Sequence, residues 1–502
     1  MKKFIILFTL FLFSSFNLYA QSNFLEIFNR FEMKFDDPIE DIFFEDLDDD
    51  NLEDILIQTK ASEKKKLLIF FQLRDGFGSS PSQILDFDEK AIIFDVGNIT
   101  NQYPGKEIVY LTSSSLKYYY LKDNLYNPES MKLIDISSIF LSPSPESPVR
   151  CKFIWDMNED KLDNLYIPKP NYLTVLSGDK DGIFKETQKI ELNPIFTTRS
   201  PYRFSTDDFE TPENFSQKTI TRVPVLYLED FNGDKRKDII SKFKDKIKVF
   251  LQNEKNEFSR EPDFEIDLDI LTEEEEKKIP PPSCSLDVVD LNDNGLIDIV
   301  VSKSQFQTMG SLSKVYIYLN KEGKISLTPD QILVNDSAFS QPVILDINGD
   351  NQKDLIITEA KMGLFQFLKV LITKKLTYED AIYLGQNGEY PELPAAKIKS
   401  TIRFDFEKLE KTEGEIAYFS GDFNGDGIKD VLKKIDEKNM LAIFLDRSEA
   451  KKIIFSKKAS YEIEEELPRA VIIKDLNNDK VSDIIFDFRM GEKKKLVIFL
   501  SK

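Results

Sequence analysis

The stretch Asp422-Phe-Asn424-Gly-Asp426-Gly-Ile-Lys-Asp430, followed directly by the apolar pair Val431-Leu432, decides the fold of this chain. It is the cleanest copy of a phrase of the form Asp-x-Asn/Asp-x-Asp/Asn-Gly-x-x-Asp, which occurs in seven clear copies. Positions 1 to 9 denote the residues of this phrase in order. When one decayed copy at Asp95 is counted as well, successive copies begin 49 to 76 residues apart, so the chain has the pattern of a repeat array.

Each copy lies between short apolar runs that have the length and composition of β-strands. Around the first copy these runs are residues 42–44 before it and 55–57 after it, followed by 67–71 and 83–87. Apolar runs separated by clusters of Asp, Asn and Gly are typical of strands joined by turns. The same order recurs along the chain, so each repeat predicts four antiparallel strands.

Four-stranded units of this size cannot bury both faces alone, and packing them around an axis gives a β-propeller. A further, decayed copy surrounds Asp95, where the strand pattern persists but most oxygen-bearing residues are lost. Counting that copy gives eight blades, and seven is the alternative. We therefore predict an all-β fold with a single β-propeller over residues 21–502.

The two ends of the chain are predicted to close the ring. After Asp483 only two strand-like runs remain, at 484–486 and 496–500, so the last unit lacks its fourth strand. Near the start, Phe31-Glu-Met33-Lys-Phe35 alternates apolar and polar residues, as a half-buried strand does. We expect this N-terminal segment to supply the outer strand of the last blade.

The first twenty residues have the pattern of a secretory signal peptide. Lys2 and Lys3 precede the apolar run 4–12, and a small-residue site ends at Ala20. We predict cleavage before Gln21 and no transmembrane segment in the mature chain. The protein is then expected to be exported, in the periplasm, secreted or at the cell surface.

The composition excludes several kinds of chemistry. The chain has no histidine and only two cysteines, Cys151 and Cys284, which removes Ser-His and Cys-His nucleophile pairs, histidine-ligated zinc and a disulfide framework. A formal net charge of -21 disfavours nucleic acid as a partner, because a polyanion would be repelled. We interpret both cysteines as small buried side chains and the single tryptophan, Trp155, as packing between blades.

The repeated phrase has the donor chemistry of a calcium site. Oxygen atoms at positions 1, 3, 5 and 9, with a backbone carbonyl near position 7, would supply the six or seven oxygen ligands that Ca2+ prefers. Gly or Asn at position 6 permits the tight left-handed turn that the loop needs. An EF-hand is excluded, because it requires a Glu at position 12 and helices on both sides. We predict several structural Ca2+ ions bound by Asp46, Asp48, Asp50, Asp54, Asp156, Asn158, Asp160, Asn164, Asp230, Asn232, Asp234, Asp238, Asp290, Asn292, Asn294, Asp298, Asp346, Asn348, Asp350, Asp354, Asp422, Asn424, Asp426, Asp430, Asp475, Asn477, Asp479 and Asp483.

These phrases resemble the FG-GAP and VCBS-type repeats of the integrin α-chain β-propeller and of many exported bacterial proteins. The copies that begin at Asp230, Asp346, Asp422 and Asp475 match the cation loop of that family position by position. The resemblance implies Ca2+ held in the hairpin between the first two strands of a blade. The chain lacks clear Phe-Gly and Gly-Ala-Pro signatures, and its second unit departs from the family pattern.

Three functions remain open at this point. The first is an adhesion module that binds a protein or glycan at the cell envelope. The second is a polysaccharide lyase or glycosidase, for which Arg199, Tyr202 and Arg203 are the candidate cluster. The third is a purely structural envelope protein. We expect a binding protein rather than an enzyme. The connections 179–222 and 373–415 are predicted to be long, and long loops on a rigid scaffold often carry function.

Overall fold

The chain forms eight blades, each built on four antiparallel strands, in an eight-bladed β-propeller. This description rests on a computed structural model. The structure describes residues 24–60, 65–143, 148–179, 182–192, 195–199, 218–222, 224–243, 246–278, 281–307, 310–335, 338–339, 341–360, 364–404, 412–414, 417–435, 440–447, 453–489 and 494–502. The predicted fold class is confirmed, and the unit around Asp95 is a full blade, so the count is eight rather than seven.

In blades 1 to 7 the strands run in chain order from the innermost to the outermost. Those of blade 1 are Ile39–Glu45, Asp54–Lys60, Lys65–Phe70 and Gln83–Asp86, and those of blade 2 are Ile93–Gly97, Glu107–Leu111, Ser115–Tyr119 and Met131–Asp135. Those of blade 3 are Ile154–Trp155, Asn164–Pro168, Leu173–Gly178 and Phe184–Ile190, and those of blade 4 are Val225–Glu229, Asp238–Phe243, Lys246–Phe250 and Phe264–Asp267.

The second half of the chain repeats this order. Blade 5 consists of Ser283–Val289, Asp298–Gln307, Gly310–Tyr318 and Gln331–Asn335, and blade 6 of Val343–Leu345, Asp354–Ala360, Lys375–Tyr383 and Ala396–Phe404. Blade 7 consists of Ala417–Gly421, Asp430–Ile435, Met440–Phe444 and Tyr461–Ile463. Blade 8 consists of Ala470–Lys474, Asp483–Asp487 and Lys495–Ser501, with Phe28–Lys34 as its outer strand.

Several short elements decorate this ring. Helix α1 is Phe24–Ile27, α2 is Glu273–Glu276 and α3 is Leu364–Thr373. The additional strands are Leu121–Lys122, Leu125–Tyr126, Val149–Arg150, Ile195–Arg199, Lys218–Arg222, Ala338–Phe339 and Thr412–Gly414. None of the described helices has the length and apolar character of a bilayer-spanning segment.

The N-terminal strand closes the ring as predicted. Phe28–Lys34 pairs antiparallel with Lys495–Ser501, in a register that places Met33 opposite Leu496. Met33 is fully buried in the core between blades 8 and 1. First and last segments of the chain therefore share one sheet.

The hydrophobic core is divided among the seams between blades. Eight clusters of buried side chains are present, and each one joins two neighbouring blades. In the cluster between blades 7 and 8, for example, Leu432 and Ile443 pack with Ile484 and Val497. Because the strands are short, this burial across seams is the main source of stability for each blade.

Two of the sequence interpretations need correction. Residues 373–415 are not a long connection, because they hold two long strands of blade 6, Lys375–Tyr383 and Ala396–Phe404. Cys151 is exposed rather than buried, whereas Cys284 is half-buried against the core of blades 4 and 5. Trp155 does pack in the seam between blades 3 and 4, as expected.

The other long connection is only partly described. Within 179–222 the structure gives the strands Phe184–Ile190, Ile195–Arg199 and Lys218–Arg222. Tyr202 and Arg203 lie outside the described residues, as does the side chain of Arg199. The proposed enzymatic cluster is therefore neither supported nor opposed by the structure.

Candidate metal centre

The seven clear phrases form the turns between the first and second strands of blade 1 and of blades 3 to 8. In each of them position 9 is the first residue of the second strand. Because the strands of all blades alternate in the same order, these turns lie at one end of the ring. We call this end the loop face; the turns between third and fourth strands lie there too.

Each loop has a left-handed backbone at positions 4 and 6. In the loop of blade 7, φ is 73° at Gly425 and 87° at Gly427, and the other six loops have positive φ at the same two positions. Position 6 is Gly or Asn in four loops, as predicted, but Lys161, Lys235 and Lys480 adopt this conformation in the others. A residue with a Cβ is disfavoured there by about 1–2 kcal/mol, so the rest of the loop must stabilise the turn.

The position-1 carboxylate supplies that stabilisation by accepting hydrogen bonds from its own loop. Asp422 Oδ1 accepts from the backbone N–H of Gly425 at 2.7 Å, and Oδ2 accepts from that of Gly427 at 2.8 Å. The bond from the position-6 N–H to the position-1 carboxylate recurs in all seven loops. These hydrogen bonds alone give the loop its curled shape.

Positions 3 and 5 lie beside each other inside this curl. In five loops the position-3 Asn donates from Nδ2 to the position-5 carboxylate at 2.7–3.0 Å. In three loops the buried position-3 oxygen has no hydrogen-bond partner: these are the Oδ1 atoms of Asp48, Asn158 and Asn292. An unpartnered buried oxygen is unfavourable, and a cation at the loop centre would satisfy it.

The loop of blade 1 carries the highest local charge. Carboxylate oxygens of Asp46, Asp48 and Asp50 lie within 4.8 Å of one another. Burial, together with the neighbouring carboxylates of Asp50 and Asp46, raises the pKa of Asp48. Such crowding disfavours the ionised form until an opposite charge is present. An all-oxygen donor set with an unpartnered oxygen fits a hard divalent cation such as Ca2+.

Position 9 has a role that the sequence analysis did not anticipate. Asp430 is fully buried, and its two oxygens accept 2.8 Å hydrogen bonds from the backbone N–H groups of Phe423 and Asp446. One donor is position 2 of the same loop and the other follows the third strand. The same pair of hydrogen bonds recurs at Asp54, Asp238, Asp298, Asp354 and Asp483.

These position-9 carboxylates are therefore clamps between the first three strands of a blade. Burial raises the pKa of Asp54 to about 7 and that of Asp430 to about 6, although the two backbone donors act in the opposite direction. In blade 3 the equivalent residue is Asn164, which instead donates from Nδ2 to Ser177 Oγ at 3.0 Å. Blade 3 lacks the acidic clamp of the other six loops.

The decayed loop of blade 2 keeps a buried carboxylate at the start of the second strand, which accepts hydrogen bonds from within the loop, and it loses the acidic positions. Glu107 is buried and accepts from the backbone N–H of Ile99 at 2.9 Å and from Thr100 Oγ1 at 2.6 Å. Residues 98–106, which form the loop, contain no carboxylate. Asp95 lies instead in the preceding strand, where its carboxylate accepts from the backbone N–H of Phe153 at 2.9 Å.

Hydrogen bonds between neighbouring loops form a closed ring on the loop face. In every seam the donor belongs to the later blade, and the acceptor is the carbonyl at position 1 or 2 of the preceding loop. The bonds measure 2.6–2.9 Å. Donor and acceptor, starting from the seam between blades 8 and 1, are Glu53 and Leu476, Lys106 and Leu47, Asp163 and Asn98, Gln252 and Met157, Asn320 and Phe231, Lys353 and Leu291, Lys429 and Ile347, and Ser482 and Asp422.

Two kinds of donor complete this ring. Six seams use the backbone N–H of the residue just before the second strand of the blade. The seams into blades 4 and 5 use the side-chain amides of Gln252 and Asn320, which follow the third strand and are buried. The conformation of one loop is therefore coupled to the next around the whole ring.

Two cavities open on the loop face. The larger, about 780 Å³, lies between blades 8 and 1 and is lined by Arg30, Gln72, Arg74, Asn477 and Lys502 among others. The smaller, about 270 Å³, lies between blades 3 and 4, beside Asn164, and has Ser177 and Gln188 in its wall. Both offer hydrogen-bonding side chains to a polar ligand.

Residues 290–357, from the loop of blade 5 to the second strand of blade 6, match the family model of the FG-GAP-like repeat. The chain carries an FG-GAP-like repeat. This match confirms the resemblance noted from the sequence, and it covers the loops beginning at Asp290 and Asp346. No curated protein matches the chain in sequence.

Solved structures with a similar arrangement are distant in sequence. A lectin from Agrocybe aegerita that recognises non-reducing terminal N-acetylglucosamine is 13% identical, with 94% of this chain and 99% of the lectin covered at a TM-score of 0.42. A putative 6-phosphogluconolactonase from Bacteroides fragilis is 14% identical, with 83% and 96% covered and a TM-score of 0.31. These similarities concern the fold alone.

Proposed function

We propose that this chain is an exported, calcium-stabilised β-propeller that serves as a binding module for a protein or glycan at the cell envelope. The observation that carries the proposal is the set of unpartnered, buried position-3 oxygens inside pre-curled acidic loops. The donor set, all oxygen and rich in carboxylates, favours Ca2+ over metals that prefer nitrogen or sulfur ligands.

The bound ions would be structural rather than catalytic. Each would neutralise the position-1 carboxylate and, in six of the seven loops, the position-5 carboxylate, with a third carboxylate, Asp48, in blade 1. Each would also hold a loop whose neighbours are linked to it by the hydrogen-bond ring. A rigid loop face is what a binding module needs, because a preorganised surface loses less entropy on association. The two polar cavities of this face are the recognition sites that we propose.

Calcium stabilisation is tested by the thermal unfolding of the purified chain in excess Ca2+ and in chelator. A site that binds only the folded state adds about 2.7 kcal/mol when the ion is at 100 times its Kd, so a clear rise in Tm is expected. Mg2+ at the same concentration should raise Tm much less. Equal Tm values in Ca2+ and in chelator would refute a structural role for calcium.

The binding role is tested by a screen of glycans and envelope proteins in the presence of Ca2+, followed by an Arg74→Ala variant for ligands that are found. A ligand of the larger cavity should bind the variant more weakly. Incubation of each glycan ligand with the protein, with detection of unsaturated or reducing sugar ends, separates a binding module from a lyase or glycosidase. No ligand in either class would favour a purely structural protein.

A further inference from the structure

Helix α3 presents its most apolar side to solvent. It connects the second and third strands of blade 6, and five of its apolar side chains are exposed. The exposed fraction is 87% for Phe365 and 82% for Ile372, and it lies between 45% and 56% for Phe367, Leu368 and Leu371. Contiguous exposed apolar surface rimmed by polar residues is a mark of interaction sites.

The orientation of the helix is the reverse of that of an ordinary surface helix. Among the helix side chains that the structure describes, residues 365–373, the half-buried ones are Gln366 and Val370, on the side that faces the blade. Phe365, Leu368 and Ile372 are spaced by three and four residues and so form one outward ridge. A surface helix that only covered the core would turn its ridge inward.

Lysines border this ridge. Lys369 lies on the helix, and Lys374 and Lys375 follow its C-terminal end; all three are exposed. They form a local basic border on a chain whose formal net charge is -21. An apolar ridge with flanking lysines matches the interface of an anionic bilayer, where acyl chains and headgroup phosphates lie a few ångströms apart.

We propose that helix α3 inserts its Phe365–Leu368–Ile372 ridge into the surface of an anionic phospholipid membrane. Ten residues make a helix of about 15 Å, which is too short to cross a bilayer but suited to lie in its interface. The long side chain of Lys369 can extend to the headgroups while its neighbours enter the apolar layer.

A second copy of this chain fits the ridge less well than an anionic membrane does. A symmetric contact through the ridge would pair two copies of the same basic border, so neither copy would offer the lysines of the other an anionic partner. One short helix also offers less area than the roughly 800 Å² per partner of a stable interface. The membrane satisfies both the apolar ridge and its basic border.

The proposed membrane contact is independent of the acidic loops. The strand Asp354–Ala360 begins at the loop of blade 6 and leads to α3, so the helix lies at the opposite end of the blade from the loop face. Insertion there would leave the loop face and its cavities directed away from the membrane. The proposal therefore stands whether or not the loops bind calcium.

Vesicle sedimentation tests this contact, with the full chain and phosphatidylcholine vesicles that contain or lack phosphatidylglycerol. Binding to the anionic vesicles is expected, and Phe365→Ser with Ile372→Ser should weaken it by about tenfold or more. A matched control changes two equally exposed apolar residues elsewhere, Leu141→Ser with Leu393→Ser, whose exposed fractions are 82% and 79%. The control should bind as the parent does.

Two further measurements distinguish the occupants. Lys374→Gln with Lys375→Gln should remove the preference for anionic vesicles, and Ile372→Trp should give a blue-shifted emission in their presence that the parent, with Trp155 alone, does not give. Unchanged vesicle binding by the Phe365 and Ile372 double variant would overturn the proposal. Concentration-dependent dimerisation that this variant abolishes, without vesicle binding by the parent, would assign the ridge to a second copy instead.

Discussion

The backbone N–H of Glu53 donates a 2.8 Å hydrogen bond to the carbonyl oxygen of Leu476, and this bond joins the first blade to the last. The same backbone contact links loops in five of the other seams, so the closing seam is not a special case on the loop face. The outer strand Phe28–Lys34 adds a second connection within blade 8 itself. Closure thus depends on both a loop contact and a strand contact.

Closure by the outer strand predicts a strong effect of Met33→Ala. Met33 is fully buried between blades 8 and 1, and truncation of a buried Met costs about 2–5 kcal/mol. We expect the free energy of unfolding in a denaturant titration to fall by that amount. Lys34→Ala, next to it but with a side chain 79% exposed, is the control and should change little. Equal effects of the two variants would argue against the closed ring.

The clamp at position 9 and the acidic position 5 should respond differently to calcium. Asp430→Asn leaves one of two buried backbone N–H groups without an acceptor, at a cost of about 1–3 kcal/mol. We expect this loss of unfolding free energy in chelator and in Ca2+ alike.

Asp426→Asn in the same loop is the matched variant. The Asp426 side chain is exposed, so its change should matter little in chelator and should reduce the stabilisation that Ca2+ provides. Denaturant titrations of Asp430→Asn and Asp426→Asn, each in chelator and in Ca2+, give the four unfolding free energies to compare. A calcium-dependent effect of Asp430→Asn alone would assign the ion to position 9 instead.

The hydrogen-bond ring predicts that Gln252→Ala is destabilising. Gln252 is buried, and its Nε2 donates to the Met157 carbonyl at 2.9 Å, so its loss leaves a buried carbonyl without this donor. The expected decrease in unfolding free energy is about 1–3 kcal/mol. Lys255→Ala, exposed in the turn that follows, serves as the control. A Gln252→Ala protein as stable as the Lys255→Ala protein would show that this seam does not need the bond.

Glu107 predicts a pH dependence of stability. Burial raises its pKa from an ordinary value of 4.5 to about 7, so the folded state binds this proton more tightly than the unfolded state. The stabilisation is fully present below pH 4.5 and is lost as pH rises towards 7, by about 3 kcal/mol at the most. Denaturant titrations in chelator at pH 5 and pH 8 should show a smaller difference for Glu107→Gln than for the parent. An identical pH dependence would exclude Glu107 as its source.

The strands and the closing segment could be predicted because their signals are local. Apolar runs of about five residues between Asp-, Asn- and Gly-rich turns can be found directly in the sequence. The alternation of apolar and polar residues in 31–35 predicts a half-buried strand. Eight blades follow from counting those runs. The helix α3 was not anticipated, because its apolar run has no charged face to reveal a helical period.

The architecture of the loops was less accessible to sequence reasoning. Asp430 is an aspartate like Asp422 and Asp426, which accept from backbone N–H groups of their own loop. Asp430 also accepts from the backbone N–H of Asp446, which follows the third strand. In blade 2 the buried carboxylate at the start of the second strand is Glu107 rather than an Asp, and Asp95 lies in the first strand instead of in the loop. The seam bonds mostly use a backbone N–H, so the side chains at those donors vary freely, as Glu53, Lys106 and Ser482 show.

The uniform direction of the seam bonds has a consequence for how such a chain can change in length. Every blade contributes one donor and one acceptor to the ring, and always on the same sides. A duplicated or deleted repeat would therefore bring or remove a matched pair and leave no orphaned group at the new junction. The blades are interchangeable parts on the loop face, and the number that fits is set by the curvature of the ring and not by the pairing of its loops.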